Sequence, residues 1–342
     1  MSTPTIPAGN LYMNATLYTG NNSTQTIING PAGASFQPDF AWSKNRSNAR
    51  SHALVNSIAG ATLQLQSNTT VAEFTGGFAS LNSNGFSLNN NFNENNINET
   101  YVCWQWKAGG TAVSNTSGSI TSSVSANTTS GFSVVTYTGT GANATVGHGL
   151  GVAPSMIIIK VRSRAGDDWG VYHQSLGNTG FLALDTTAAN TSSGVFWNST
   201  SPTSSVFSIG TNSNVNPSAQ TLVAYCWAPI AGYSAFGSYT GNGSADGTFV
   251  YLGFRPRYVL LKRTDSSGNW GVWDTSRDPY NAVQYELVPN ASDAETTAAG
   301  PRMDILSNGF KLRNVGVAYN ASGGTYVYAC FAENPFKYSN AR

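Results

Sequence analysis

Charge is what this sequence has least of. Only 10% of its 342 residues are Asp, Glu, Lys or Arg, where soluble domains average about 25%. The 17 basic and 16 acidic side chains nearly cancel, and no basic run stands out. Nucleic-acid binding needs a basic stripe that displaces counterions, so no nucleic-acid partner is expected. Cysteine is scarce as well. Cys103, Cys226 and Cys330 are an odd number and build no closed disulfide framework. The C-x-x-C spacing of zinc sites is missing, so neither a metal nor another cofactor is expected. No run approaches the roughly 20 apolar residues of a membrane helix, so no membrane insertion is expected. Residues 1–7 hold neither a charged nor an apolar leader region, which implies a chain that stays in a cytoplasm until assembly.

What the sequence does contain is Gly (36 residues), Asn, Ser, Thr and a 12% aromatic fraction. These residues suit turns and strand surfaces and are poor helix formers. Short β-branched and aromatic segments, bounded by Gly, Pro, Asn and Ser, read as strands throughout. The segments also recur three times. Leu17-Tyr18-Thr19-Gly20 returns as Thr136-Tyr137-Thr138-Gly139 and as Ser238-Tyr239-Thr240-Gly241. Pro38, Pro154 and Pro256 are each followed six residues later by a lysine: Lys44, Lys160 and Lys262. Trp169-Gly170-Val171-Tyr172 matches Trp270-Gly271-Val272-Trp273, with a drifted His52-Ala53-Leu54-Val55 in the first copy. Ser83-Asn84-Gly85-Phe86 matches Ser307-Asn308-Gly309-Phe310.

About seven strands per copy predict an all-β chain of three tandem antiparallel, jelly-roll-like β-sandwich repeats. The expected boundaries are 15–108, 129–229 and 230–342. Residues 109–128 read as a Gly/Ser/Thr linker. Residues 1–14 read as an extended arm for attachment to a partner particle, through Pro4, Ile6, Pro7, Leu11 and Tyr12. The cysteines fall in one shared slot of each closing strand and are expected as buried thiols in three separate cores.

Catalytic groups are sparse. The histidines are His52, His148 and His173, and Asp274 replaces His173 in the third copy, so the repeats keep no His function. No G-x-S-x-G elbow occurs. The densest acidic regions are Asp167-Asp168, Asp274 to Asp278 and Asp293 to Glu295. Asp274 and Arg277 are expected to form a structural ion pair. No catalytic residue is assigned, and the chain is expected not to be an enzyme.

The Tyr-Thr-Gly opening, the Pro-to-Lys strand, the Trp-Gly-Val strand, Ser-Asn-Gly-Phe-x-Leu and the closing run from Ala332 to Arg342 resemble a family of tailed-phage virion proteins. Members of that family are described as a domain of unknown function or as tail fibre or minor tail proteins. The resemblance implies a structural virion protein assembled in the host cytoplasm, foremost a tail fibre or adhesin. A capsid decoration (cement or head-fibre) protein is the alternative, and a polysaccharide depolymerase a lesser one. The implied partners are a tail hub or major capsid protein, further copies in a trimer, and a host surface glycan. Trp197 and Tyr280 are the candidate sugar-stacking side chains.

Overall fold

The computed structural model describes residues 6, 8–31, 35–90, 92–297 and 300–333. Strand accounts for 43% of the chain and helix for 4%, in several antiparallel sheets, as the composition predicts. The first repeat contains β1 (Met13–Thr19), β2 (Gln25–Ile28), β3 (Phe40–Asn45), β4 (Ala53–Asn56), β5 (Gly60–Leu65), β6 (Phe74–Thr75), β7 (Phe78–Asn82), β8 (Gly85–Leu88) and β9 (Thr100–Trp106). Next come β10 (Val113–Asn115), β11 (Ser122–Asn127), β12 (Phe132–Thr138), β13 (Ala144–Gly147), β14 (Met156–Val161), β15 (Gly170–His173), β16 (Gly180–Ala183), β17 (Thr191–Ser192), β18 (Val206–Ile209) and β19 (Thr221–Trp227). The third repeat contains β20 (Ser234–Thr240), β21 (Phe249–Tyr251), β22 (Pro256–Arg263), β23 (Trp270–Asp274), β24 (Tyr285–Glu286), β25 (Thr296–Thr297), β26 (Met303–Leu306), β27 (Gly309–Leu312) and β28 (Thr325–Ala332).

Each repeat has a main sheet in which the first strand pairs with the last and the last with the third: β1-β9-β3-β4, β12-β19-β14-β15 and β20-β28-β22-β23. A smaller sheet lies over it: β2-β8-β7, β13-β18 and β21-β27-β26. Two layers per repeat make the expected sandwich. Residues 109–128 are not a bare linker, because β10 and β11 form there and extend the second main sheet beyond β12. In β11 Ser122, Val124 and Ser125 are buried, as a flexible spacer would not be.

Strand alternation sends the two faces of each main sheet to different places. Facing the repeat's own small sheet are Ala41 and Cys103 in the first copy and Ile157, Ile159 and Cys226 in the second. The opposite face carries Phe40, Trp42, Trp104 and Trp106, then Met156, Ile158, Tyr225 and Trp227, then Tyr258, Leu260 and Phe331. These side chains from all three repeats meet in one common core. Phe40 stacks on Tyr225 at 4.0 Å, and Trp106 lies edge-on to Trp227, Tyr258 and Phe331 at 5.4–6.0 Å. A small apolar void is lined by residues of all three repeats. The repeats are therefore fused around a shared centre rather than strung as separate domains.

Two further expectations change. Strand register pairs Trp106, Trp227 and Phe331 with Phe40, Met156 and Tyr258. Cys226 and Cys330 thus share a slot one residue before that position, while Cys103 lies three before it and Gln105 takes the slot. All three thiols are free and buried. The arm reading also fails at its described residues. Ile6 is 1% exposed within the common core, residues 9–11 form a 3-10 turn, and Met13 already belongs to β1. Pro4 and Pro7 lie outside the described residues.

Candidate functional site

The residue types that carry chemistry converge on the seams between repeats, and they do so in a cycle. The indole of Trp169 donates to the Gln66 carbonyl of the first repeat (2.9 Å). Trp270 donates to the Ala183 carbonyl of the second (2.9 Å). His52 contacts the Val288 carbonyl of the third through Nε2 (3.0 Å). His52 Nδ1 accepts from the Trp42 indole (2.8 Å), so Nε2 carries the proton and donates. The drifted motif is thus a substitution that keeps the bond: imidazole replaces indole as ring N–H donor. A backbone bond repeats in the same cycle, from Glu73, Asn190 and Glu295 to the carbonyls of Arg162, Thr264 and Arg46 (2.8–2.9 Å). First binds second, second binds third, third binds first. Such a cycle closes a ring with pseudo-threefold symmetry.

Each ring donor is fixed from its own repeat. The N–H groups of His52, Trp169 and Trp270 donate to side-chain oxygens of Asn68, Asp185 and Asn290 (2.8–3.0 Å). Asp185 is the odd member: burial first, then the neighbouring Asp168, raise its pKa to about 6.

The repeated lysines lie on the inner face. Lys44 donates to the carbonyls of Asn45 and Ser292, Lys160 to Val161 and Asp167, and Lys262 to Thr187 and Gly268. Two of these bonds cross a seam. Burial lowers each pKa to about 8. A buried ammonium satisfied by carbonyls is a framework group, unlike an exposed cationic site. The remaining histidines are framework groups too. His148 accepts from the Leu150 N–H and contacts the Thr203 carbonyl, fixing its turn. His173 meets the Tyr328 carbonyl across a seam, and burial lowers its pKa to about 4.

One carboxylate of each acidic region is held in an ion pair. Asp167 binds Arg164, and Glu295 binds Arg46 and Arg277. Asp274 and Arg277 form the expected pair at 2.5 Å, fully buried, with the Trp104 indole donating to the same carboxylate. Among the described residues no group of three His, Cys, Asp or Glu is arranged to hold a metal. No helix there is long and apolar enough to cross a membrane.

The sugar-stacking candidates separate. Trp197 is 1% exposed, and its indole donates to the Gly180 carbonyl, so no ligand reaches it. Tyr280 is 81% exposed, on a loop pinned by two bonds between Asn281 and the backbone of Ile305. Tyr12 packs edge-on to Tyr233 at 6.3 Å, and Leu11 closes the 3-10 turn beside it. Sequence reading missed Phe249 and Tyr251, which are 43% and 63% exposed on β21. Comparing the repeats position by position would have found them.

Residues 8–335 match a family model described as a domain of unknown function, DUF7483. The chain belongs to this family. The match takes in all three repeats, so the DUF7483 unit corresponds to the closed ring and not to one sandwich. Curated proteins give no match to the chain.

Proposed function

We propose that this DUF7483 chain is a non-enzymatic structural component of a bacteriophage particle, acting at a tail fibre as an adhesive module. One observation carries the reading: the ring holds itself together with the residues an enzyme would use. Its histidines, cysteines and repeated lysines are buried, and Asp167, Asp274 and Glu295 are held in ion pairs. What remains exposed is a weakly charged surface with turn loops and isolated aromatics such as Tyr280. Binding residues sit on such loops when a rigid scaffold positions them, and neutral host glycans are the partner that surface suits.

The pseudo-threefold ring favours a second reading, a capsid decoration protein seated where capsomers meet around a threefold axis. In either case one chain supplies the threefold frame that a homotrimer would otherwise build. Labelled antibody on intact virions, viewed by negative stain, tests the proposal. Label on tail tips, with cell binding abolished by purified host polysaccharide, supports the adhesin. Label on the head supports the decoration protein. Absence of the chain from purified particles refutes both, and progressive shortening of the polysaccharide refutes the non-enzymatic assignment.

A further inference from the structure

The three small sheets differ at one edge, and the difference is informative because the frame beneath is the same. Register places Thr26, Thr145 and Phe249 at equivalent positions, opposite Ser87, Ser208 and Lys311. Ile28, Gly147 and Tyr251 are equivalent two residues on. In the second repeat this edge is filled by the chain itself. Ile120 forms a parallel bridge to Val146 and donates its N–H to the Thr145 carbonyl (3.0 Å). The Ser119 hydroxyl accepts from the Thr145 N–H (2.9 Å), and the Ser122 hydroxyl donates to the Gly147 carbonyl (2.9 Å).

Among the described residues the same edge of the third repeat is open. Thr248 accepts from, and Leu252 donates to, the β27 side of the sheet. By alternation the backbone N–H and C=O of Phe249 and Tyr251 point away from it. Among the described residues β21 pairs with β27 alone. Natural edge strands are blunted by shortness, charge, proline or a bulge; Phe249-Val250-Tyr251 is short, at three residues, but carries none of the other three. The frame does not require the two rings either, since Thr and Ile or Thr and Gly occupy the equivalent positions.

We propose that β21 is a docking strand for an extended, uncharged segment of a different protein. The segment is added parallel to β21, as residues 119–122 are added to β13. Main-chain bonds to Phe249 and Tyr251 give affinity, and the two rings cover alternate side chains of the guest, the usual division of labour in strand addition. The inference goes beyond the virion reading and stands or falls separately from it.

The test uses the full chain and a fluorescent synthetic peptide with the sequence of residues 115–122. A photoreactive benzophenone side chain replaces Tyr251. Saturable peptide binding with crosslinking at position 251 is expected. Phe249→Pro removes an outward N–H without breaking a β27 bond and should weaken binding at least tenfold with an unchanged melting temperature. Thr26→Pro, the same change in the first repeat, should leave binding intact. Where the proline variant fails to fold, the double change Phe249→Thr with Tyr251→Gly decides, with a severalfold loss expected. No binding at millimolar peptide, or equal binding by the variants, overturns the proposal. A dimer lost on the same substitutions overturns it as well, by assigning the edge to a second copy.

Discussion

At the scale of single residues, the repeats explain themselves by what each position must bond. The Tyr-Thr-Gly motif is a clear case. Tyr18, Tyr137 and Tyr239 donate to the carbonyls of Glu94, Val215 and Tyr319 (2.7–3.0 Å). The next residues, Asn95, Asn216 and Asn320, are fully buried and tie two loops through backbone carbonyls. The glycine follows from the same contact, since a Cβ on Gly20, Gly139 or Gly241 would meet a carbonyl oxygen of that loop at 2.1–2.3 Å. Asp185 breaks its own pattern, because the equivalent positions are Asn. Its folded pKa of about 6 exceeds its unfolded value. The folded state therefore holds more protons between pH 4 and 6, and stability falls as the pH rises through that window. Asp185→Asn should be neutral near pH 4 and stabilise by on the order of 2 kcal/mol at pH 7, read as a melting-temperature difference that grows with pH. A constant difference would place the effect elsewhere.

At the scale of elements, the sequence displayed strands well and their assembly poorly. Alternation and turn residues marked most strands of the main sheets. The hairpin β7–β8 turns at Ser83-Asn84, and Gly85 opens the returning strand where a Cβ would meet the Ile27 carbonyl at 2.0 Å. Ring closure was not legible, because its acceptors are backbone carbonyls such as Gln66, Ala183 and Val288, which leave no mark in residue identity. The His52 substitution hid it further. The 109–128 segment misled because Ser and Thr serve both spacers and strand faces. The N-terminal segment misled because proline near a terminus reads as an arm, while Ile6 fills the common core. Ile6→Ala should cost about 2–5 kcal/mol in chemical denaturation, where a free arm would give no change. Trp270→Phe keeps the ring and deletes one seam bond, leaving the Ala183 carbonyl unpaired, for a loss of about 1–3 kcal/mol.

At the scale of the whole molecule, three sandwiches share one core that none completes alone. Trp106 touches aromatics of the second and third repeats, so its loss is felt by all three at once. Trp106→Ala should cost about 3–5 kcal/mol and lower the stability of every repeat together. The measurement that tests the fused ring most directly is differential scanning calorimetry of the full chain. A closed ring unfolds in one transition, with calorimetric and van't Hoff enthalpies that agree. Separate transitions, or a calorimetric enthalpy near three times the van't Hoff value, would mean three independent domains and would contradict the ring.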